Sequence, residues 1–282
     1  MTMARPALRR LPPIEDLPTL PRTVLRITER INDPATSARD LARIIAEDQV
    51  LTARLLKLVN SSFYGFRRRI GTVTEAVLMI GFEAVRSHLL TTSVFDLFPP
   101  RSPALRRGQE LLWDHSLGCA VGAKAIGTAM RRDNLEELFV AGLLHDIGKI
   151  VLLAKFPAES EEVAARVAAG AAILEAEEAV LGCTHAEIGR RLAEHWNLPS
   201  PLVRAIESHH PPFAAEPPEE FSAVVHLADI LARVLELGSG GDDRIPPLDP
   251  AAWRALRLLP AAFDGILASM LTDFDDIGSF LR

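Results

Sequence analysis

The segment Gly142-Leu143-Leu144-His145-Asp146-Ile147-Gly148-Lys149 lies inside the most apolar stretch of the chain, residues 138–156. That stretch is about the length of a membrane span, yet His145, Asp146 and Lys149 occupy its middle, where charge is costly in lipid. It reads as a buried helical segment of a globular protein. An adjacent His and Asp in such a setting is unusual, because burying two ionisable groups costs several kcal/mol unless something pairs with them. A divalent metal would pair with both.

Outward from this segment, nearly every periodic stretch has helical spacing. Residues 38–58 and the adjoining Val59 place Leu41, Ile44, Ile45, Leu51, Leu55, Leu56 and Val59 on one stripe, and Ser37 or Thr36 can cap it after the Asn32-Asp33-Pro34 turn. Residues 74–90 repeat the pattern. Residues 113–130, 135–144, 159–169, 172–181, 186–196, 201–208 and 222–237 also read as helices. Ala and Leu are abundant, Tyr occurs once, and no stretch alternates as a strand does. The predicted fold class is all-α, a multi-helix bundle.

Three breaks divide the helices: Pro99-Pro100-Arg101-Ser102-Pro103, the loop from Pro211-Pro212 to Pro217-Pro218, and Gly238-Ser239-Gly240-Gly241-Asp242-Asp243. The expected organisation is an N-terminal helical lobe over residues 11–108, a histidine-bearing helical domain over 109–237, and a tail over 238–282. The tail is expected to be a flexible linker with short C-terminal helices, for which Trp253, Phe263, Phe274 and Phe280 are the apolar anchors.

Composition narrows the function classes. With 282 residues, 48% of them hydrophobic and 24% charged, the chain is an ordinary globular protein rather than a disordered one. A formal charge of −6 argues against a surface built to bind nucleic acid. Within that balance, Arg67-Arg68-Arg69 reads as a solvated loop ahead of a phosphate site. Two cysteines, Cys119 and Cys183, are too few for a disulfide framework and point to a reducing, cytoplasmic setting. Burial as small apolar residues is their default, although they flank His115 and His185 and either could approach a site there. The basic N-terminus has no apolar core of a secretory signal, no membrane association is expected, and the start at Met1 leans toward a complete chain.

The eight histidines are unevenly placed: His88 alone lies in the first 110 residues, and the others fall between 115 and 226. His115 stands 30 residues before His145, a separation that fits an antiparallel helix pair. His185 begins a helix, His209-His210 ends another, and His226 and Asp229 share one helix face at i and i+3. Such a mixture of imidazole nitrogens and carboxylate oxygens suits Fe, Mn, Zn or Ni and disfavours Ca. The alternative is a metal-free pair, with His145-Asp146 a polar pin in the helix core. Asp229 is the better ligand of its pair, His226 reads as a core histidine, His195 as a surface residue and His88 as structural. On a helix His209 and His210 cannot point the same way, so one would be a ligand and the other a cap at the helix end.

The order His, His-Asp, Asp on a helical scaffold resembles the HD superfamily of metal-dependent phosphohydrolases. The chain is more specifically similar to the HD-related output domain (HDOD) family. That resemblance rests on Leu17-Pro18-Thr19-Leu20-Pro21, on Ile45-Ala46-Glu47-Asp48-Gln49-Val50-Leu51-Thr52 followed by Leu58-Val59-Asn60-Ser61-Ser62, and on Ala76-Val77-Leu78-Met79-Ile80-Gly81. It continues in residues 142–149, Thr184-His185-Ala186-Glu187-Ile188-Gly189, Trp196-Asn197-Leu198-Pro199 and Ile206-Glu207-Ser208-His209-His210-Pro211-Pro212, covering roughly residues 11–235.

The resemblance implies an N-terminal lobe packed on an HD-like helical domain, and a bacterial signal-transduction module acting through signalling proteins or a bound ligand. By match to the related HD-GYP enzymes, which open cyclic di-GMP, the metal ligands would be His115, His145, Asp146, His185, His209, His210 and Asp229. Lys149 would contact phosphate in a catalytic role. The alternative function is a metal-dependent phosphohydrolase acting on a nucleotide or cyclic dinucleotide. The chain departs from the HD-GYP pattern after the paired histidines, where Pro211-Pro212-Phe213 stands and no Gly-Tyr-Pro occurs, which argues against cyclic di-GMP hydrolysis.

Overall fold

A computed structural model describes residues 19–31, 33–61, 64–99, 103–211, 218–242 and 244–281. Residues 11–18, Ser62, Phe63, the break at 100–102, the loop at 212–217, Asp243 and the Phe280 side chain lie outside what is described. The fold is all-α, and no strand occurs among the described residues. The described helices group into two compact units, one within residues 98–267 and the other comprising residues 19–97 with 268–281.

In the smaller unit, α1 (Arg22–Ile31), α2 (Ala38–Ala46), α3 (Gln49–Val59) and α4 (Val73–Asp96) pack on one another through Val24, Ile27, Leu41, Ile45, Leu55, Val77 and Leu89. The single stripe expected over residues 38–58 is two helices. The Asp48 carboxylate accepts from the Val50 and Leu51 amides and starts a second helix there, while Ser37 and Asp40 form a capping box on the first. Gly81, at φ 84°, kinks α4.

In the larger unit, α5 (Pro103–Ala129) packs against α6 (Leu135–Leu144), α7 (Ile147–Lys155) and α12 (Glu220–Val234). Around these lie α8 (Pro157–Ala168), α9 (Ile173–Leu181), α10 (His185–His195), α11 (Ser200–Glu207) and α13 (Pro250–Leu256). A last helix, α14, spans Phe263–Leu281, with its residues from 268 onward in the smaller unit, and is longer than the short tail helices expected. No single helix among the described residues is long and apolar enough to cross a membrane.

The apolar stretch 138–156 is not one helix. It breaks at the His-Asp pair, where His145 closes α6 and Asp146, at φ −100° and ψ 14°, opens α7. The glycines on either side explain why this sequence sits where it does. A Cβ on Gly142 would lie 2.5 Å from the Cys119 carbonyl oxygen of α5, and one on Gly148 would lie 1.9 Å from the His185 carbonyl oxygen of α10. Bare backbone thus draws α5 and α10 against the His145-Asp146 turn from two sides.

Candidate metal centre

The close approaches bring the expected residues together. His115, His145, Asp146, His185, His209 and Asp229 are almost fully buried, at 0–1% exposure, with Lys149 at 6%. They form two donor groups. His115, Cys119, His145 and Asp229 make one, and Asp146, His185, His209 and His210 make the other, each with donor atoms within 4.8 Å of one another.

Asp146 faces both groups. Its Oδ2 lies 3.2 Å from His145 Nε2 and 3.8 Å from His115 Nε2, and its Oδ1 lies 3.2 Å from His185 Nε2 and 3.5 Å from His209 Nε2. Across the first group, His115 Nε2 is 3.0 Å from Asp229 Oδ1. The two histidines of the 209–210 pair both converge on His185, at 3.4 and 3.2 Å between Nε2 atoms. Helix α11 ends at Glu207, so both residues lie beyond it and the helical angle does not separate them.

Three of the rings are anchored on their other face, whereas His115 Nδ1 is buried without a hydrogen-bond partner. His145 Nδ1 donates to the Gly142 carbonyl at 2.7 Å, His209 Nδ1 to the Ile206 carbonyl at 2.9 Å, and His185 Nδ1 to the Glu177 carboxylate at 2.7 Å. With the proton fixed on Nδ1, each Nε2 lone pair is turned toward the centre, the arrangement in which protein histidines bind metals. His145 Nε2, Asp146 Oδ1 and Asp229 Oδ2 are buried and make no hydrogen bond. Facing lone pairs with no proton between them repel, and orphaned buried acceptors cost free energy unless a cation satisfies them.

Electrostatics point the same way. Burial pushes the carboxyls of Asp146 and Asp229 up, but their partners outweigh it: His145 and Lys149 hold the first, and His115 and Arg233 the second, well below the usual carboxylate range. Burial depresses His115 and His210, and brings His209 down to about 4. Burial also opposes the charged form of His185, yet the adjacent Glu177 carboxylate raises it overall. Ionised carboxylates set among mostly neutral imidazoles are a donor set for a divalent cation.

Lys149 is held in place. Its ammonium donates to Asp146 Oδ2 at 2.7 Å and to the Gly240 carbonyl at 2.8 Å. The polar run 238–242, which by composition alone reads as a linker, is anchored here: the Ser239 amide donates to the Leu111 carbonyl at 2.9 Å, and Arg233 bonds the Asp242 carboxylate. Arg233 also donates to Asp229 Oδ1 at 2.8 Å. His226 takes no place among the donor groups. It donates to the His209 carbonyl at 3.1 Å and accepts from the Asp249 amide at 3.2 Å, pinning that loop to α13. His88 lies in the smaller unit and bonds the Tyr64 hydroxyl. Beside Lys149 and Glu177 a cavity of about 650 Å³ opens, walled by Leu111, Leu152, Val163, Val167 and Ile173.

Sequence reasoning missed Glu177 and Arg233. Glu177 stands on the apolar stripe of its helix, four residues from both Ile173 and Leu181, and an acid at such a position is the signal. Arg233 lies one helical turn beyond Asp229, at i+4.

The HDOD domain family model matches residues 17–212, and the chain belongs to that family. Among solved structures, it is similar to an HDOD domain protein of unknown function from Geobacter sulfurreducens, at 27% identity and a TM-score of 0.80, covering 99% of this chain and 97% of that one. A Shewanella amazonensis SB2B protein, assigned by name only to the phosphohydrolases, shares the fold at 24% identity and a TM-score of 0.77, with 98% of each chain covered. A curated Treponema pallidum relative of uncharacterised function is 29% identical over 240 residues. That match takes in 83% of this chain and 45% of the relative, so the chain spans less than half its length.

Proposed function

We propose that this HDOD chain is a regulatory module that holds divalent metal in its HD-like helices and acts by binding signalling proteins or a small ligand. The observation that carries this reading is the set of buried, unpaired acceptor atoms on His145, Asp146 and Asp229, directed at neighbouring imidazole lone pairs. The donors of the pair of sites are His115, His145 and Asp229 on one side and His185, His209 and His210 on the other, with the two oxygens of Asp146 between them. Bundles build bridged di-metal sites from several helices in this way. Glu177 orients His185, and Arg233 fixes Asp229.

A regulatory role is favoured over turnover by the condition of Lys149. Two of its three N–H donors are taken by Asp146 and Gly240, and the segment 238–242 lies over His115, with a Cβ on Gly240 only 3.1 Å from His115 Nε2. A second reading, hydrolysis of a nucleotide or cyclic dinucleotide, is favoured by the bridging position of Asp146 beside that ammonium. A divalent ion held by these residues would supply Lewis acidity toward a phosphoryl oxygen and a bound water. Lys149 would then have to release Gly240 to meet the developing negative charge.

The test is the metal content of protein purified without a metal-affinity tag, beside Asp146→Ala. One or two equivalents of Fe, Mn, Zn or Ni per chain in the parent, absent from the variant, is expected. No metal in the parent, even after reconstitution, overturns the reading. If metal is present, phosphoester turnover that His145→Ala abolishes without unfolding replaces the regulatory role with the enzymatic one.

A further inference from the structure

We infer that Cys119 is itself a metal ligand, so that one of the two sites is a sulfur-containing site rather than one of nitrogen and oxygen alone. This rests on the metal-binding reading above and goes beyond the ligand set that the HD resemblance supplies. Cys119 follows His115 by four residues on α5, which stacks the two side chains on one helix face. Its Sγ lies 3.6 Å from His115 Nε2. Two ligands sharing one tetrahedral ion, at about 2.3 Å for sulfur and about 2.0–2.1 Å for nitrogen, stand about 3.6 Å apart. The separation fits a shared ion, and without one the two groups are within hydrogen-bond distance of each other.

The surroundings of the thiol supply the remaining donors. His145 Nε2 and Asp229 Oδ2 are fully buried and unpaired, and His145 and Asp229 each place a donor within 4.8 Å of those of His115 and Cys119. Cys119 is held at this spot by the contact of its backbone with Gly142, the residue whose carbonyl orients His145. The second cysteine, Cys183, is equally buried, but its thiol donates to the Leu181 carbonyl at 3.9 Å and it belongs to neither donor group. On metal binding the Cys119 S–H bond breaks, its proton leaves to solvent, and a sulfur–metal bond forms. A thiolate beside imidazoles and one carboxylate selects zinc, cobalt or ferrous iron over manganese and magnesium.

The test uses Co(II) added to the full-length chain after chelator treatment. The expected result is ligand-field bands together with a sulfur-to-cobalt charge-transfer band in the near ultraviolet. Cys119→Ser should lose the charge-transfer band while keeping bound cobalt and helical circular dichroism, and Cys183→Ser should keep it. The preference for zinc over manganese should fall at least about tenfold in Cys119→Ser. Cobalt bound by the parent without a charge-transfer band, or a band lost only in Cys183→Ser, overturns this inference and leaves the metal-binding reading intact. Failure of the parent to bind any cobalt overturns both. If Cys119→Ser does not fold, Cys183→Ser decides the matter: Cys119 is then the sole cysteine, so a retained band supports the inference and a lost one overturns it.

Discussion

The interiors of the two units differ in what they bury. In the smaller unit the described buried polar residues are Ser61, Ser87, His88 and Ser93, set in an otherwise aliphatic core. In the larger unit the interior holds His115, His145, Asp146, Lys149, Glu177, His185, His209, His226 and Asp229. Both are built from amphipathic helices with the same kinds of cap, so local helix formation does not explain the contrast. Isolated buried charge is strongly unfavourable, and evidence of stability alone would predict an interior like that of the smaller unit throughout. The larger unit has instead concentrated its ionisable groups where each is partner to the next, which is the arrangement expected of a site.

The sharpest way to break the comparison is to add one methyl group to each unit. In Gly148→Ala the new Cβ meets the His185 carbonyl oxygen at 1.9 Å and the Gly189 amide at 2.9 Å, both rigid backbone atoms. Helices α7 and α10 must separate, carrying Asp146 away from His185. A loss of more than about 3 kcal/mol is expected, with loss of metal uptake. Gly71→Ala in the smaller unit meets nothing within 4 Å and should change stability by less than about 0.5 kcal/mol. Equal effects of the two substitutions on the thermal midpoint would show that the close approach of α7 and α10 is not what assembles the site.

Acid distinguishes the interiors next. In the metal-free protein His209 is depressed from 6.5 to about 4 by burial, so as pH falls through that window the unfolded chain takes up a proton that the folded chain refuses. Stability is therefore lost on going from about pH 6.5 to pH 4, by about 3 kcal/mol from this residue when the shift is fully expressed. His115 and His210 add in the same direction. His185, raised by Glu177, opposes them, since its contribution is present below 6.5 and is lost as pH rises through its folded value. Asp146 and Asp229 contribute above the unfolded carboxylate value of about 3.9 and are lost only below it. Denaturant unfolding of apo-protein at pH 7, 5.5 and 4 should show this fall, and His209→Asn should flatten it. A pH-independent midpoint over this range would contradict the assignment of neutral, buried imidazoles.

These tests bear on residues that differ in how far the sequence revealed them. The all-α class follows from helical spacing and from the lack of alternation, and the order of histidines and aspartates marked the residues that now converge. Boundaries were less legible. The stripes over 38–58 and 138–156 run on in hydrophobicity across Asp48 and across His145-Asp146, because periodicity reports which face is buried and not where the backbone turns. Glu177 and Arg233 were harder to recognise as site residues for another reason. Each acts on a ligand from a distance in sequence or along a helix, and a glutamate or arginine on an amphipathic helix is ordinarily solvated. Cys119 could be placed near His115 by sequence, but its 3.6 Å separation from Nε2 is visible only in the structure.

Glu177 gives the next effect in size. Glutamine in its place keeps an acceptor for His185 Nδ1 but removes the charge that raises the imidazole's basicity. Residues holding a ligating histidine in this way are worth about 10–100-fold in metal affinity, or about 1.4–2.7 kcal/mol. Competition between Glu177→Gln and a chelator for zinc should show that loss. Glu175→Gln, on the exposed side of the same helix, should show none. Unchanged affinity in Glu177→Gln would mean that His185 is oriented by packing alone.

The smallest effect belongs to the smaller unit and tests whether its charges matter at all. Arg67, Arg68 and Arg69 are exposed, and Arg68 pairs with Glu75 while its own side chain remains 72% accessible. An ion pair in water gains little Coulomb energy and loses side-chain freedom, so exposed pairs contribute from nothing to about 1 kcal/mol. Arg68→Ala should therefore lower stability by less than about 0.5 kcal/mol, and added salt should erase the difference. The same substitution should leave the cobalt spectrum unchanged. A larger loss, or one that persists in high salt, would mean that the arginine run is engaged by something other than solvent. The smaller unit would then carry a charged site of its own, and the contrast in buried charge would no longer separate the two units.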